Sequence, residues 1–174
     1  MNMNTIKVGP VGGKNGTVWD EKGRGEIAKI FLSTGSDYVL SLQFLYVENG
    51  QFVLSDRYGA DHNYIFTTVV LDYPSEFLTS ISGTYYTNGL RSITFGTNKS
   101  SYGPYGRNTV NPLAPYYTFS FQIGNDRSFD GFHGTKTDTF IESIGVYMKT
   151  ITSSMITAED SQLMTRSKKK KKIN

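Results

Sequence analysis

The sequence contains no cysteine and only two histidines, His62 and His133. Without thiols there are no disulfides and no thiolate metal ligands, which excludes a disulfide-built secreted scaffold. Metal-ligand patterns such as His-x-x-x-His or an Asp-rich calcium loop are also missing, so we expect neither a metal nor another cofactor. Nucleophiles and bases are scarce, and no motif pairs two acids for glycoside hydrolysis. These absences favour a binding protein over an enzyme, with a structural role for His133.

Long hydrophobic runs are missing too. The N-terminus, MNMNTIKVGPVGG, has no basic start followed by about 7 to 15 apolar residues, so it does not resemble a signal peptide. No segment approaches the roughly 20 apolar residues of a membrane span. We therefore expect a cytoplasmic protein without a membrane partner, or a nuclear one if its run of lysines acts as an address.

The positive charge is concentrated near the C-terminus. Residues 150–174 carry six basic and two acidic residues, a balance of +4 in a chain whose net charge is +3, which leaves −1 for residues 1–149. That near-neutral body argues against a broad basic face for nucleic acid. We predict one domain over residues 1–149 and a polar, flexible tail over 150–174. Its lysine run, Lys168–Lys172, is where we expect any nucleic-acid contact.

Glycine, tyrosine and phenylalanine are abundant, with 18, 12 and 11 residues. Short β-rich runs alternate with turn clusters about every ten residues, which is typical of sandwiches, barrels and prisms. We therefore predict an all-β fold. The predicted strands are Glu26–Ser33, Val39–Tyr46, Phe52–Leu54, Tyr64–Leu71, Phe77–Ser82, Leu90–Thr97, Thr118–Ile123, Ser128–Phe132 and Phe140–Met148. Predicted turns, rich in residues that tolerate positive φ, are 48–50, 58–61, 87–89, 103–106 and 124–126.

A short pattern, aliphatic-x-x-Ile, occurs at the start of four predicted strands. The copies are Ile27–Ile30, Leu78–Ile81, Leu90–Ile93 and Ile141–Ile144. Self-similarity within a chain indicates a repeated structural unit. Segments rich in β-forming residues also produce such short matches by coincidence, so the sequence leaves both interpretations open.

Four longer segments, in order along the chain, resemble the jacalin-related lectin family. They are VGPVGGKNGTVWD, LDYPSEFLTSISG, LRSITFGTNKSSYGPYG and FDGFHGTKTDTFIESIGVY, which together span Val8–Tyr147. The resemblance implies a β-prism I fold, with three four-stranded antiparallel Greek-key sheets and sugar bound in loops at one end. The uncut run through Asn15 resembles the mannose-binding members. We therefore expect binding of mannose- or glucose-type monosaccharides and glycans, and assembly into a homo-oligomer, because single sugar sites are weak and gain from multivalency.

A hexose can be held by a small set of groups. Its hydroxyls both donate and accept, so a carboxylate that accepts from two of them and backbone N–H groups that donate to their oxygens satisfy it. Glycine lets the backbone approach the ring closely. The resemblance places Gly16 where the family's glycine N–H meets the sugar, and places Tyr86 in a loop that forms a wall beside it.

The second sugar loop of the family corresponds to residues 138–142, in one of two registers. Counted back from residues 143–145, Glu142 takes the family's aspartate position; counted forward, Gly134–Asp138 spells Gly-x-x-x-Asp and makes Asp138 the acid. The first register is favoured, because the following strand fixes the carboxylate. The site residues that the resemblance implies here are Asp138, Thr139, Phe140, Ile141 and Glu142, with Thr139 and Phe140 as backbone donors.

An alternative function follows from the presence of Glu142 at the family's aspartate position. Glutamate is one methylene longer than aspartate, and a buried polar group left unpaired costs about 1 to 3 kcal/mol. Sugar affinity is therefore altered or lost. The alternative is an interaction module that kept the prism and lost sugar binding, with the lysine tail contacting nucleic acid or another anionic partner.

Overall fold

The computed structural model describes residues 4–61, 65–110 and 112–150. Within these ranges the chain is built from strands and contains no helix. The strands of this part of the chain are β1 (Thr5–Gly12), β2 (Thr17–Asp20), β3 (Glu26–Thr34), β4 (Val39–Glu48), β5 (Gln51–Leu54), β6 (Tyr58–Gly59), β7 (Thr67–Val70), β8 (Leu78–Tyr86), β9 (Gly89–Thr97), β10 (Ser101–Gly106), β11 (Tyr117–Gln122), β12 (Phe129–Lys136) and β13 (Ile141–Lys149).

These strands form three antiparallel sheets. Sheet I has the order β1-β13-β12-β2, sheet II has β5-β4-β3-β7, and sheet III has β10-β9-β8-β11; the short β6 also pairs with β4. In sheets II and III three consecutive strands are neighbours and a later strand returns beside the first of them, which is Greek-key order. Sheet I is built from strands of both ends of the described chain. The predicted β-prism I, with its three four-stranded sheets, is confirmed.

The core fills the space between the three sheets. Phe44 of sheet II, Phe95 of sheet III and Phe132 of sheet I have no exposed surface. The ring of Phe132 stacks on Phe44 at a centroid distance of 4.6 Å and meets Phe95 edge-on at 6.5 Å. Aromatic pairs in these arrangements are favourable beyond the area that they bury. One phenylalanine from each sheet therefore ties the three faces of the prism together.

Each copy of the aliphatic-x-x-Ile pattern contains a β-bulge. The two aliphatic residues of every copy lie in the core and are at most 3% exposed. Residues i and i+3 of a regular strand face opposite sides, so both face inward only if an extra residue lies between them. The ladders skip Ala28 in β3, Thr79 in β8, Arg91 in β9 and Glu142 in β13. The pattern is therefore a repeated structural unit, present in all three sheets.

The nine predicted strands overlap observed ones, although Tyr64, where one prediction begins, lies outside the described residues. Two predicted turns are wrong. Tyr58–Gly59 is a strand, because Tyr58 pairs with Leu42 and stacks on Trp19 at 4.4 Å. The predicted turn at 103–106 belongs to β10, because Gly103, with a φ of 116°, permits a bulge in this edge strand. The edge strands β1 and β2 were not predicted, since Gly9 and Pro10 interrupt β1 and β2 has only four residues.

The predicted domain boundary at residue 149 coincides with the end of β13. Beyond it, the N–H of Thr150 donates to the carbonyl of Asn4 at 3.0 Å. The remainder of the predicted tail, with Lys168–Lys172, lies outside the described residues, as does His62. The flexibility and role of the tail stay predictions.

Candidate functional site

Glu142 lies at one end of the prism, called here the site end, where the β1–β2 turn (residues 13–16) meets the β12–β13 loop (137–140). Its carboxylate is 3% exposed. Oε1 accepts a hydrogen bond from the N–H of Asn15 at 2.8 Å, and Oε2 accepts one from the N–H of Gly16 at 2.5 Å. Because Glu142 is the bulged residue of β13, its side chain leaves the regular alternation of the strand and reaches this turn. Two segments 126 residues apart thus converge.

Two glycines make this convergence possible. A Cβ on Gly13 would lie 2.6 Å from Cγ of Glu142, and a Cβ on Gly16 would collide with the carbonyl of Lys136 and with Oε2 of Glu142. The N–H of Gly13 also donates to the backbone carbonyl of Glu142 at 3.0 Å. The glycines therefore allow the turn to close around the carboxylate. The N–H of Gly16, which the sequence predicts to meet the sugar, donates to Glu142 in this structure.

The β12–β13 loop satisfies its own backbone donors. Oγ1 of Thr137 accepts from the N–H of Thr139 at 3.2 Å and from the N–H of Phe140 at 3.1 Å. The N–H of Thr137 in turn donates to the carbonyl of Phe140 at 3.0 Å. The two amides that the resemblance assigns to the sugar are therefore bonded within the loop. The Glu142 carboxylate fills the space between this loop and the β1–β2 turn. We call this space the closed pocket.

The other residues predicted for this loop point away from the pocket. The side chain of Asp138 is fully exposed, and its Oδ1 lies 3.8 Å from Nζ of Lys136. Ile141 is fully buried in the core. The structure thus brings Gly16 together with Glu142, and it places Asp138 on the surface.

Tyr86, which the resemblance places beside the sugar, contacts other side chains of the protein. Its hydroxyl accepts from Nε of Arg91 at 3.1 Å, and its ring meets Tyr38 edge-on at 5.8 Å. Tyr38 stacks on Phe140 at 4.3 Å. These aromatic contacts join the β3–β4, β8–β9 and β12–β13 turns at the site end.

An open groove lies on the other side of the β1–β2 turn. It has a volume of about 450 Å³ and is lined by Gly12, Lys14, Asn15, Tyr85, Thr87 and Tyr117. We call it the tyrosine groove. Tyr85 of β8 and Tyr117 of β11 are direct cross-strand partners, and their rings stack at 5.5 Å with an interplanar angle of 28°. Tyr117 was missed by sequence reasoning, because no local signal tells which residue of β11 lies opposite Tyr85.

His133 has a structural position, as the sequence suggests. Its ring is 2% exposed, its Nε2 is 2.9 Å from the carbonyl of Val8, and it packs on Tyr147 at 4.7 Å. Burial lowers the pKa of the imidazole, and the charge of Lys7 lowers it further, against the opposing effects of the backbone bonds and of Asp20. The buried ring therefore joins β12 to β1 across sheet I.

The described residues form neither a cluster of metal ligands nor a membrane-spanning helix. In these ranges no group of three or more histidine, aspartate or glutamate side chains is placed to hold a metal ion. The same part of the chain has no helix that is long and apolar enough to cross a membrane.

Comparison with known proteins agrees with this architecture. The sequence pattern of the jacalin-like lectin domain matches residues 8–147. The chain belongs to the jacalin-related lectin family. Among its relatives in Arabidopsis thaliana, the protein RESTRICTED TEV MOVEMENT 1 is 39% identical over 155 residues, with 83% of this chain and 87% of the relative covered. Jacalin-related lectin 2 is 37% identical over 158 residues, covering 83% and 86%.

Solved lectins share the prism as well. A mannose-specific jacalin-related lectin from Morus nigra, solved with mannose, superimposes with a TM-score of 0.69 at 33% identity, covering 84% of this chain and 95% of its own. Artocarpin, solved with mannopentose, gives a TM-score of 0.70 at 32% identity, covering 84% and 98%. The lectin domain therefore has the scaffold of proteins that bind mannose.

Proposed function

We propose that this lectin domain binds mannose- or glucose-type glycans at the site end and performs no chemistry on them. The observation that carries the proposal is the convergence of the Gly16 amide and the Glu142 carboxylate, which are 2.5 Å apart although they come from opposite ends of the domain. The bonds that Glu142 makes hold the glycine turn rigid. A preorganised turn loses less entropy when a ligand binds. Similarity to mannose-specific lectins supports the same assignment.

The placement of the acids at the site end supports the non-enzymatic part of the proposal. A glycosidase needs two carboxyl groups about 5 to 10 Å apart that face one cleft. Of the two acids that the sequence predicts for this site, Glu142 is buried and doubly bonded, whereas Asp138 faces solvent. We assign Glu142 to the site as the residue that positions the turn, and we leave Asp138 out of it.

We further propose that the protein acts in the cytoplasm as a homo-oligomer. Single sugar sites bind with dissociation constants near the millimolar range, about −4 kcal/mol. Several sites on one assembly raise the effective affinity for a branched glycan without any new contact.

Binding to a glycan array, followed by calorimetric titration with methyl α-mannoside, tests the proposal. The full chain is expected to bind the mannoside in preference to methyl β-galactoside, and Glu142→Ala is expected to abolish binding. Glu76→Ala is the matched control, since Glu76 is similarly buried at the opposite end of the prism, where it accepts from the N–H of Asp72 at 2.8 Å. Failure of the wild-type chain to bind any sugar would contradict the proposal.

A second candidate function is an interaction module without sugar binding. The internal bonding of the Gly16, Thr139 and Phe140 amides supports it, because each N–H has one hydrogen to donate and each is used within the protein. This function predicts a negative glycan array together with salt-sensitive binding to nucleic acid. Replacing Lys168–Lys172 by alanine would then remove the nucleic-acid binding.

A further inference from the structure

We propose that the first pyranose ring of the glycan lies in the tyrosine groove, over Tyr85 and Tyr117, and not in the closed pocket. This inference rests on the proposed function and names the part of the site end that holds the ligand. The polar groups of the closed pocket are hydrogen-bonded within the protein, whereas side chains at the rim of the tyrosine groove are free to bind a ligand.

The closed pocket offers a hexose little to bind. Its acid, Glu142, is 3% exposed and accepts from two amides, and the amides of Thr139 and Phe140 donate to Thr137. A sugar in this space would have to break several of these bonds before it made its own. Since a buried donor or acceptor that loses its partner is destabilising, the pocket opposes entry.

The floor of the tyrosine groove suits the apolar face of a sugar. Tyr117 is 51% exposed, whereas Tyr85 is half-buried and packs on Phe119 at 6.2 Å. The stacked pair therefore presents one accessible ring that is supported from behind. A pyranose carries C–H groups on its faces, and burying them against an aromatic ring is favourable.

The rim of the groove suits the hydroxyls. Lys14, Asn15 and Thr87 are exposed, and within the described ranges their side chains have no hydrogen-bond partner. Together they supply an ammonium group, a carboxamide and a hydroxyl, which include both donors and acceptors. None of the six lining residues is acidic, and the volume of about 450 Å³ falls in the range of small-ligand sites. A neutral hexose of the mannose or glucose type fits this chemistry.

Because Glu142 bonds the backbone of Asn15, it also fixes the wall of the groove. The same residue thus acts as a positioning residue for a ligand that it does not touch.

Titration of the full-length chain with methyl α-mannoside, followed by NMR or calorimetry, tests the assignment. Tyr117→Ala is expected to weaken binding about tenfold, the effect of removing roughly 50 Å² of buried apolar contact. Tyr117→Phe retains the ring and is expected to stay within about twofold of the wild type. Phe52→Ala is the matched control, since it removes an aromatic side chain that is 70% exposed on sheet II, and no change is expected.

The outcomes separate this inference from the proposed function. If the wild type binds the mannoside and Tyr117→Ala binds it equally well, the ring does not lie in the groove, although the lectin function stands. Amide shifts at Thr139 and Phe140 on binding, with none at Lys14 and Thr87, would overturn the inference in the same way. If the wild type binds neither methyl α-mannoside nor any glycan of the array, the proposed function fails and the groove assignment fails with it.

Discussion

The two sides of the β1–β2 turn differ in whether their polar groups are hydrogen-bonded within the protein. On one side, the closed pocket pairs the Glu142 carboxylate and the loop amides with each other. On the other, the tyrosine groove leaves Lys14, Thr87 and a stacked tyrosine facing solvent. Internal bonds stabilise the folded chain, whereas free groups are available to a ligand. Sequence similarity to a binding loop therefore does not by itself tell which of its atoms remain free to bind.

The bulges of β13 and β9 make a similar comparison within the scaffold. Glu142 and Arg91 each occupy the extra position of a bulge, and both are buried. Arg91 has no carboxylate partner within the described residues; its guanidinium lies 4.0 Å from the ring centroid of Tyr116 and donates to the carbonyl of Thr109. In both strands the bulge turns a charged side chain out of the regular alternation and uses it to hold a loop.

The largest expected difference between the two sides concerns stability. Glu142→Ala removes two charge-assisted bonds and leaves the amides of Asn15 and Gly16 unpaired, so the free energy of unfolding is expected to fall by about 3 kcal/mol. Asp138→Ala, in the same loop, is expected to change it by less than about 0.5 kcal/mol, because that side chain is exposed. Urea titration measures both. Equal losses for the two variants would show that the pocket is not closed by Glu142.

A smaller effect is expected from the hydroxyl of Thr137. Thr137→Val keeps the shape of the side chain and removes the acceptor for two amides, which is expected to cost about 1 kcal/mol. Hydrogen exchange of the Thr139 and Phe140 amides should become faster while the core of β13 stays protected. Unchanged exchange at these two amides would mean that the loop does not depend on the hydroxyl.

The last expected effect depends on pH and concerns His133, which lies in sheet I outside both the closed pocket and the tyrosine groove. Because burial lowers the pKa of His133 in the folded protein, the unfolded chain takes up a proton more readily. Stability is therefore expected to fall as the pH drops below about 6.5, by at most about 1.4 kcal/mol per pH unit. Urea titrations at pH 7.5, 6.5 and 5.5 measure this slope. His133→Gln should make it shallower, and an unchanged slope would assign it to other groups.

Much of the fold could be predicted from local signals. Alternating β-rich runs gave nine strands, and the four family-like segments gave the prism, because both depend on residues that are neighbours in sequence. Strand β10 was predicted as a turn, since Gly103 and Pro104 favour a turn until pairing with β9 imposes a bulge. The two registers of the second loop were also undecided, because the position of Glu142 depends on that of a turn 126 residues away.

The sequence alone determined the all-β class, the family and the identity of the glycine turn, because periodicity and short motifs are properties of adjacent residues. Only the tertiary structure decided that Glu142 and not Asp138 meets Gly16, and that Tyr117 lies beside Tyr85. The physical reason is that a hydrogen bond or a ring contact acts over a few ångströms. Which distant residues come within that range is fixed by the register of the sheets.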